Sequence, residues 1–307
     1  MRLDPKTIHA PEIGPVWLNS PPLTLRQLRG SVVLVDFWDF TCVNCIRTLP
    51  YVVEWHKRYA ALGLKVIGVH APEFYFGRAP EILERGIEEF GIQYPVLLDN
   101  DYTAWKAFAN KYWPSKYLID ADGYMRYFHA GEGAYQETEE ALQDLLREID
   151  TSVALPPLMP LRRALDQPGA LAMCPRPTPE LYLGHKRGQI ANGFVEDKEH
   201  TYTLGAGPQE EMPEIEGKWH SLPDCLQTAA AGTRIVLFYS AAEVNVVMSG
   251  VGRVGVRENG VEIGVIEVNR PRMYQVIQRE RFDSALLELT FDSPSMQVFA
   301  FTFGSCL

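Results

Sequence analysis

Cys42-Val43-Asn44-Cys45 directly follows the apolar run Val32 to Trp38 and precedes an amphipathic stretch. Two thiols with this spacing, at the junction of a strand and a helix, can form and break a disulfide reversibly. Unpaired backbone N–H groups at a helix N-terminus favour negative charge. The first thiol therefore ionises more readily than a free one at about 8.5 and becomes a nucleophile near neutral pH. The second lies one helical turn away and can attack the mixed disulfide made by the first, so the pair moves two electrons. The same spacing also serves as half of a zinc site. Zinc normally takes four ligands, however, and Cys174, Cys225 and Cys306 are scattered singly with no second CxxC or close Cys/His pair, so no metal is expected.

The surrounding elements must position the pair. Asp36 interrupts the otherwise apolar Val32-Val33-Leu34-Val35-Asp36-Phe37-Trp38. Turned inward, a carboxyl there is desolvated, has a raised pKa and can exchange a proton with the second thiol. Turned outward it is a solvated strand residue, and strand alternation alone leaves both orientations open. Pro50, five residues after Cys45, removes one helix hydrogen bond and kinks the helix that carries the cysteines. Tyr112-Trp113-Pro114-Ser115 leads into the strand Lys116 to Ile119. A cis bond at Pro114 would turn backbone groups toward the sulfurs, whereas a trans loop proline would not.

Asp36, the strand end at Trp38, the CxxC, Pro50 and the later Trp-Pro together resemble the thioredoxin-like pattern. The likeness extends to Trp17-Leu18-Asn19-Ser20, Gly68-Val69-His70-Ala71-Pro72-Glu73-Phe74, Tyr94 to Asn100 and Gly131-Glu132-Gly133-Ala134-Tyr135, which are similar to the soluble part of DipZ-type proteins in the TlpA-like branch. The resemblance implies that Asp36 is the buried proton-exchanging aspartate, that Pro114 is a cis-proline beside the sulfurs and that Glu73 modulates cysteine protonation. It also implies that Trp38, Thr41, Val43, Asn44 and Trp113 face the substrate, with no cofactor beyond the Cys42–Cys45 disulfide itself. Thr41 departs from the pattern, because Trp usually precedes the first cysteine. Val43-Asn44 likewise replaces the Gly-Pro of thioredoxin, so the direction of electron flow does not carry over. His70 and Glu73 fall just after a strand, at the carboxyl end where open α/β sheets gather active groups, although a structural loop role accounts for them equally.

Strand-like runs at 32–37, 64–69, 96–98, 116–119 and 125–129 alternate with helical stretches at 45–62, 80–90, 102–112 and 136–148, and Asp120-Ala121-Asp122-Gly123 reads as a hairpin turn. Residues 1–150 are thus expected to form an α/β thioredoxin-like domain, a central mixed sheet flanked by helices. Prolines then crowd residues 151–179, which read as a semi-rigid linker with one short helical candidate at Leu161 to Leu165. Residues 180–307 carry short β-branched and aromatic runs separated by turns, including the hairpin signal Asn259-Gly260, and are expected to form an all-β jelly-roll or sandwich domain. This half is similar to carbohydrate-binding modules. Trp219, Tyr182, Tyr202, Tyr239 and Tyr274 are candidate stacking platforms for a sugar, with Arg272 or Glu267 as hydrogen-bonding groups; a surface that docks client proteins is the alternative.

The 307 residues, 46% hydrophobic and 22% charged, suffice for two domain cores. A net charge of −10 without a Lys/Arg run argues against nucleic acid as a partner. No stretch reaches the roughly 20 apolar residues of a membrane span, and residues 1–30 lack a signal-peptide core. The chain as written reads as cytoplasmic, and as extracytoplasmic if it is a fragment of a longer protein. The expected function is thiol-disulfide exchange with protein thiols and disulfides, fed by an upstream dithiol reductant. A thiol peroxidase of the peroxiredoxin kind is disfavoured because Val35 and Asp39 occupy the positions where those enzymes carry Pro and Thr or Ser. A non-catalytic glycan- or protein-binding module is the remaining alternative.

Overall fold

The computed structural model describes residues 1–3, 6–205, 207 and 210–306. The chain divides into two compact units, Met1–Pro168 and Gly169–Leu307.

The first unit is built on six strands: β1 (Trp17–Leu18), β2 (Val32–Trp38), β3 (Leu64–His70), β4 (Val96–Leu98), β5 (Ser115–Ile119) and β6 (Met125–Ala130). Their order is β1-β4-β3-β2-β5-β6. β3 runs parallel to β2 and β4, whereas β5 is antiparallel to β2 and β6. β2 is buried along its whole length, which is why its sequence is a continuous apolar run without alternation. Val33, Val35 and Phe37 pack in one core with Ile67, Val69 and Phe108. Leu34, Asp36 and Trp38 alternate with them and so occupy the opposite face.

Four helices flank the sheet: α1 (Val43–Tyr59), α2 (Pro80–Glu89), α3 (Thr103–Ala107) and α4 (Tyr135–Ile149). α1 begins two residues earlier than the sequence suggested and includes Pro50. α3 is much shorter than the expected 102–112, because the chain reverses after Phe108 with Ala109 at φ 51° and the Asn110 N–H donating back to Trp105. β1 was not anticipated as a strand; it closes the sheet edge by pairing Trp17 with Leu97.

Residues 151–168 pack on the first unit. Tyr51 donates to Asp166 at 2.6 Å, and Glu139 on α4 accepts from Arg58, from Tyr59 and from the Met159 N–H. The short helical candidate becomes a single 3-10 turn at Ala164–Asp166.

The second unit is built on strands that pair antiparallel with one another: β7 (Leu181–Tyr182), β8 (Glu199–Tyr202), β9 (Glu214–Ser221), β10 (Leu226–Thr228), β11 (Thr233–Ser249), β12 (Gly252–Glu258), β13 (Val261–Val268), β14 (Arg272–Phe291) and β15 (Gln297–Gly304). Pairs of runs that read as separate strands fuse into the long β11 and β14, which stay paired across register shifts between Ala241 and Glu243 and between Val244 and Asn245. The first half of β11 bonds β9 and its second half bonds β15, while β10 bonds both β9 and β15, so the sheet closes around an apolar interior. Asn259 and Gly260, at φ 50° and 77°, make the expected tight hairpin.

Cys174 and Cys306, scattered singly along the sequence, form a disulfide. The pairing of Leu181 with Phe301 brings together the residues just before β7 and just after β15, a meeting that a separation of 132 residues conceals in the sequence. Closing a loop of that length removes entropy from the unfolded chain, about 5 kcal/mol of stabilisation in the chain-entropy account.

Most of the candidate stacking platforms are internal. Trp219, Tyr202, Tyr239 and Tyr274 lie in the core, Tyr182 is covered by the Arg187 guanidinium 3.9 Å from its ring centre, and Glu267 is paired with Arg253. Aromatics in a closed sheet fill the interior, so their faces meet other side chains instead of ligand. A glycan array probed with the full chain is therefore expected to give no specific signal; a saturable sugar hit would contradict this placement.

Candidate active site

Strand direction decides which groups meet. β2 and β3 are parallel and end at one edge of the sheet, where antiparallel β5 begins. Cys42 after β2, residues 71–73 after β3 and Pro114 before β5 are thereby gathered at that edge. The Trp113–Pro114 peptide is cis, and the Pro114 carbonyl accepts the Gly131 N–H at 2.7 Å.

Cys42 is the N-cap of α1, and its half-exposed sulfur accepts the Cys45 backbone N–H at 3.4 Å. Helix N-termini present unpaired N–H groups at that point, a setting suited to negative charge. Cys45 is fully buried. Burial first, and then the adjoining Cys42, hold its thiol well above the ordinary range. The two sulfurs are therefore unequal: one reaches solvent and the other needs an internal proton acceptor before it can react.

Asp36 occupies the interior position beneath them. It is buried on the face opposite Val35 and Phe37, and neither carboxylate oxygen has a hydrogen-bond partner among the described residues. Desolvation pushes its carboxyl up to about 7, against the pull of the Lys116 charge. Lys116, directly across the ladder from Asp36 on β5, is itself fully buried. Burial lowers its ammonium to about 8, while Asp36 and Cys45 oppose that shift. Both groups thus titrate near neutrality inside the protein, as a proton-handling site requires.

A second carboxylate, missed at the sequence level, organises the edge. Asp39 Oδ1 accepts the Thr41 N–H at 2.7 Å and its hydroxyl at 2.5 Å, and Oδ2 accepts the Glu73 N–H at 3.1 Å. His70 Nε2 stands 3.3 Å from Oδ2 at ion-pair distance, although not aligned for a hydrogen bond. Burial alone would raise the Asp39 carboxyl, but His70 and Thr41 outweigh it and hold it below the usual range. The 71–73 segment is tied in turn to the proline loop, since Trp113 donates from Nε1 to the Ala71 carbonyl at 3.1 Å. The only signal for Asp39 in the sequence was an acidic residue three positions before Cys42.

The expected substrate face is only partly present. Trp38 is 0% exposed and Thr41 2%, so neither can touch a substrate: Trp38 completes the interior face of β2, and Thr41 turns inward to Asp39. Val43, Asn44 and Trp113 are half-buried at the edge, and Glu73 is held there through its backbone. Among the described residues no cluster of His, Cys, Asp and Glu could hold a metal, and no helix is long and apolar enough to cross a membrane.

Comparison with known proteins fits this architecture. Residues 10–128 match the AhpC/TSA family and residues 178–304 the thioredoxin-like C-terminal domain family. Protein DipZ of Mycobacterium bovis is 36% identical over 296 residues, covering 94% of this chain and 41% of the relative, so the chain spans well under half of that protein's length. Thiol-disulfide oxidoreductase YkuV of Bacillus subtilis is 31% identical over 135 residues, which is 44% of this chain and 90% of YkuV. A solution structure of a thioredoxin-like protein in the oxidised form shares 32% identity, covers 43% of this chain and 88% of its own, and superposes with a TM-score of 0.40. On the relative that it covers almost entirely, and on a strand order and cysteine edge of the thioredoxin type, the chain belongs to the thioredoxin-like family of thiol-disulfide oxidoreductases.

Proposed function

We propose that the chain exchanges disulfides through Cys42 and Cys45, with protein thiols and disulfides as substrates and an upstream dithiol as the source of electrons. The observation that carries this reading is the inequality of the two sulfurs, a half-exposed Cys42 at a helix N-cap and a buried Cys45 one turn on, above a buried carboxyl that titrates near neutrality. The Cys42 thiolate attacks a substrate disulfide, forming a Cys42–substrate bond and releasing one substrate thiolate. Cys45 gives its proton to Asp36 and attacks Cys42; the Cys42–Cys45 bond forms, the second substrate thiolate leaves, and two electrons have passed to the substrate. Pro114 is buried with its carbonyl bonded to Gly131, so the backbone that a substrate strand can meet there is that of half-buried Trp113 beside it. The second unit serves as a docking element for client proteins, a reading supported by the burial of its aromatic rings.

Peroxidase chemistry is less well supported. The AhpC/TSA match covers the region, but Asp39 stands where that chemistry needs a hydroxyl and already bonds Thr41 and Glu73. A Cys174–Cys306 bridge suits an oxidising compartment, which favours an extracytoplasmic setting for the chain.

Three measurements test this reading. Cys42→Ser is expected to abolish disulfide exchange while Cys45→Ser accumulates mixed disulfides with substrate; normal turnover by Cys42→Ser would sink the assignment. Burial holds the Asp36 carboxyl at about 7 in the folded protein against its ordinary 3.8, so the native state binds the extra proton and stability falls as pH rises across that window. Urea titrations should therefore show a shallower decline between those pH values in Asp36→Asn than in the parent, and identical slopes would exclude a buried, raised Asp36. For the compartment, acid-quenched cells treated with a thiol-alkylating mass tag should leave Cys174 and Cys306 unlabelled, whereas labelling of both would favour the cytoplasm.

A further inference from the structure

The reaction leaves a physical problem. Cys45 and Asp36 are both sealed from solvent, yet every turnover must move a proton from one to the other and then out of the protein. The ladder of the first unit supplies a row of ionisable groups leading outward. Asp36 on β2 is paired with Lys116 on β5, and Lys116 is paired with His129 on β6, the strand at the sheet edge. Directly paired residues project from the same face of a sheet with Cβ atoms about 5 Å apart. The three side chains therefore form one line from the buried middle of the sheet to half-buried His129.

We infer that Asp36, Lys116 and His129 form a cross-strand relay carrying the Cys45 proton between the sheet interior and solvent, with Lys116 and His129 as the positioned carriers behind Asp36. This deepens the proposed exchange reaction and rests on it. Cys45 loses its proton to an Asp36 oxygen as its sulfur attacks Cys42. The Lys116 ammonium gives a proton to the His129 imidazole, the amine so formed takes the proton from Asp36, which returns Asp36 to carboxylate and Lys116 to ammonium, and the imidazolium releases its proton to water. No electrons move along the row, and each carrier ends the cycle as it began.

The local chemistry fits these roles. Lys116 Nζ donates to the Gly131 carbonyl at 3.4 Å and sits 5.4 Å from the Tyr135 ring centre, contacts that aim it without a carboxylate salt bridge of its own among the described residues. His129 Nε2 lies 3.2 Å from the Glu132 carbonyl, which can only accept, so Nε2 carries the hydrogen and Nδ1 is the nitrogen left to take up a proton. Burial, and next the Lys116 charge, lower the His129 imidazolium, so a proton arriving there is readily released. The other titrating or charged groups around the row are Cys45 on α1, Tyr94 before β4, Glu132 after β6, Tyr135 and Glu137 on α4, and the N-terminal amine. Arg47 faces Glu132 at 3.6 Å and takes up part of its charge.

The test is a single-turnover measurement on the full chain. A mixed disulfide between Cys42 and a chromogenic aryl thiol is formed, and its resolution by Cys45 is followed by release of that thiol across neutral pH. His129→Gln retains an amide N–H for Glu132 but cannot carry a proton. It should slow resolution by roughly tenfold, below the 10²–10⁴ range of fully positioned acid–base groups, and added imidazole should restore the rate. Because a relay changes rate and not equilibrium, the dithiol–disulfide equilibrium with dithiothreitol should stay within about twofold of the parent, equivalent to about 9 mV. Resolution at the parent rate, or slowing that imidazole does not relieve, would overturn the relay. Lys116→Gln supplies an independent check and should slow resolution at least as much. If Asp36→Asn also resolves at the parent rate, the underlying acid–base assignment fails along with the relay. If Asp36→Asn is slow and both His129→Gln and Lys116→Gln are fast, only the relay fails.

Discussion

The cost of placing an ionisable carboxyl in the middle of a fully buried strand governs this molecule. β2 contributes nothing to solvent along its length, so Asp36 gains no hydration for its charge and is pushed toward neutrality. An apolar residue there would make a better core. The departure from the pattern of the strand coincides with the one place in the first unit where a buried thiol needs a proton acceptor, and Lys116 opposite keeps the carboxyl from being fixed as the acid. Desolvation alone would have left Asp36 permanently protonated; a tight ion pair would have left it permanently charged.

The second constraint is mechanical. The end of β2, the loop after β3 and the approach to β5 come from distant stretches of chain, and each would wander without ties. Asp39 binds the first to the second through Thr41 and the Glu73 N–H, and Trp113 binds the second to the proline loop through Ala71. These bonds are polar, directional and wholly or partly buried, so they specify the geometry of the cysteine edge more sharply than apolar packing would. Thr41 is part of this scaffold, which explains a small inward-turned hydroxyl residue next to Cys42 where a large aromatic is usual in the family.

The β unit answers a different problem. β11 bonds β9 along its first half and β15 along its second, and β10 bonds both, so the core is enclosed by a sheet that turns on itself, and the aromatic residues serve that enclosure. Its chain ends are drawn together by β7 and β15 and fastened by the Cys174–Cys306 bridge. Cys225, in contrast, is a buried single thiol, raised by desolvation to about 12 and inert as a nucleophile.

The sequence by itself determined the cysteine pair and its helix, the buried strand before it, the alternation of strands and helices, and the β character of the second half. All of these are local: spacing, apolar runs and turn residues act over a few positions of chain. Tertiary structure decided the rest, because it depended on which distant residues the ladder sets side by side. Asp36 could point either way until burial of both faces of β2 settled it. Lys116 and His129 read as ordinary strand residues until the register aligned them with Asp36. Trp38 and Thr41, close to the cysteines in sequence, proved internal, and Cys174 found a partner 132 residues away. Long-range register and solvent exclusion set the charge state of a buried group, and neither is written in the spacing of its neighbours along the chain.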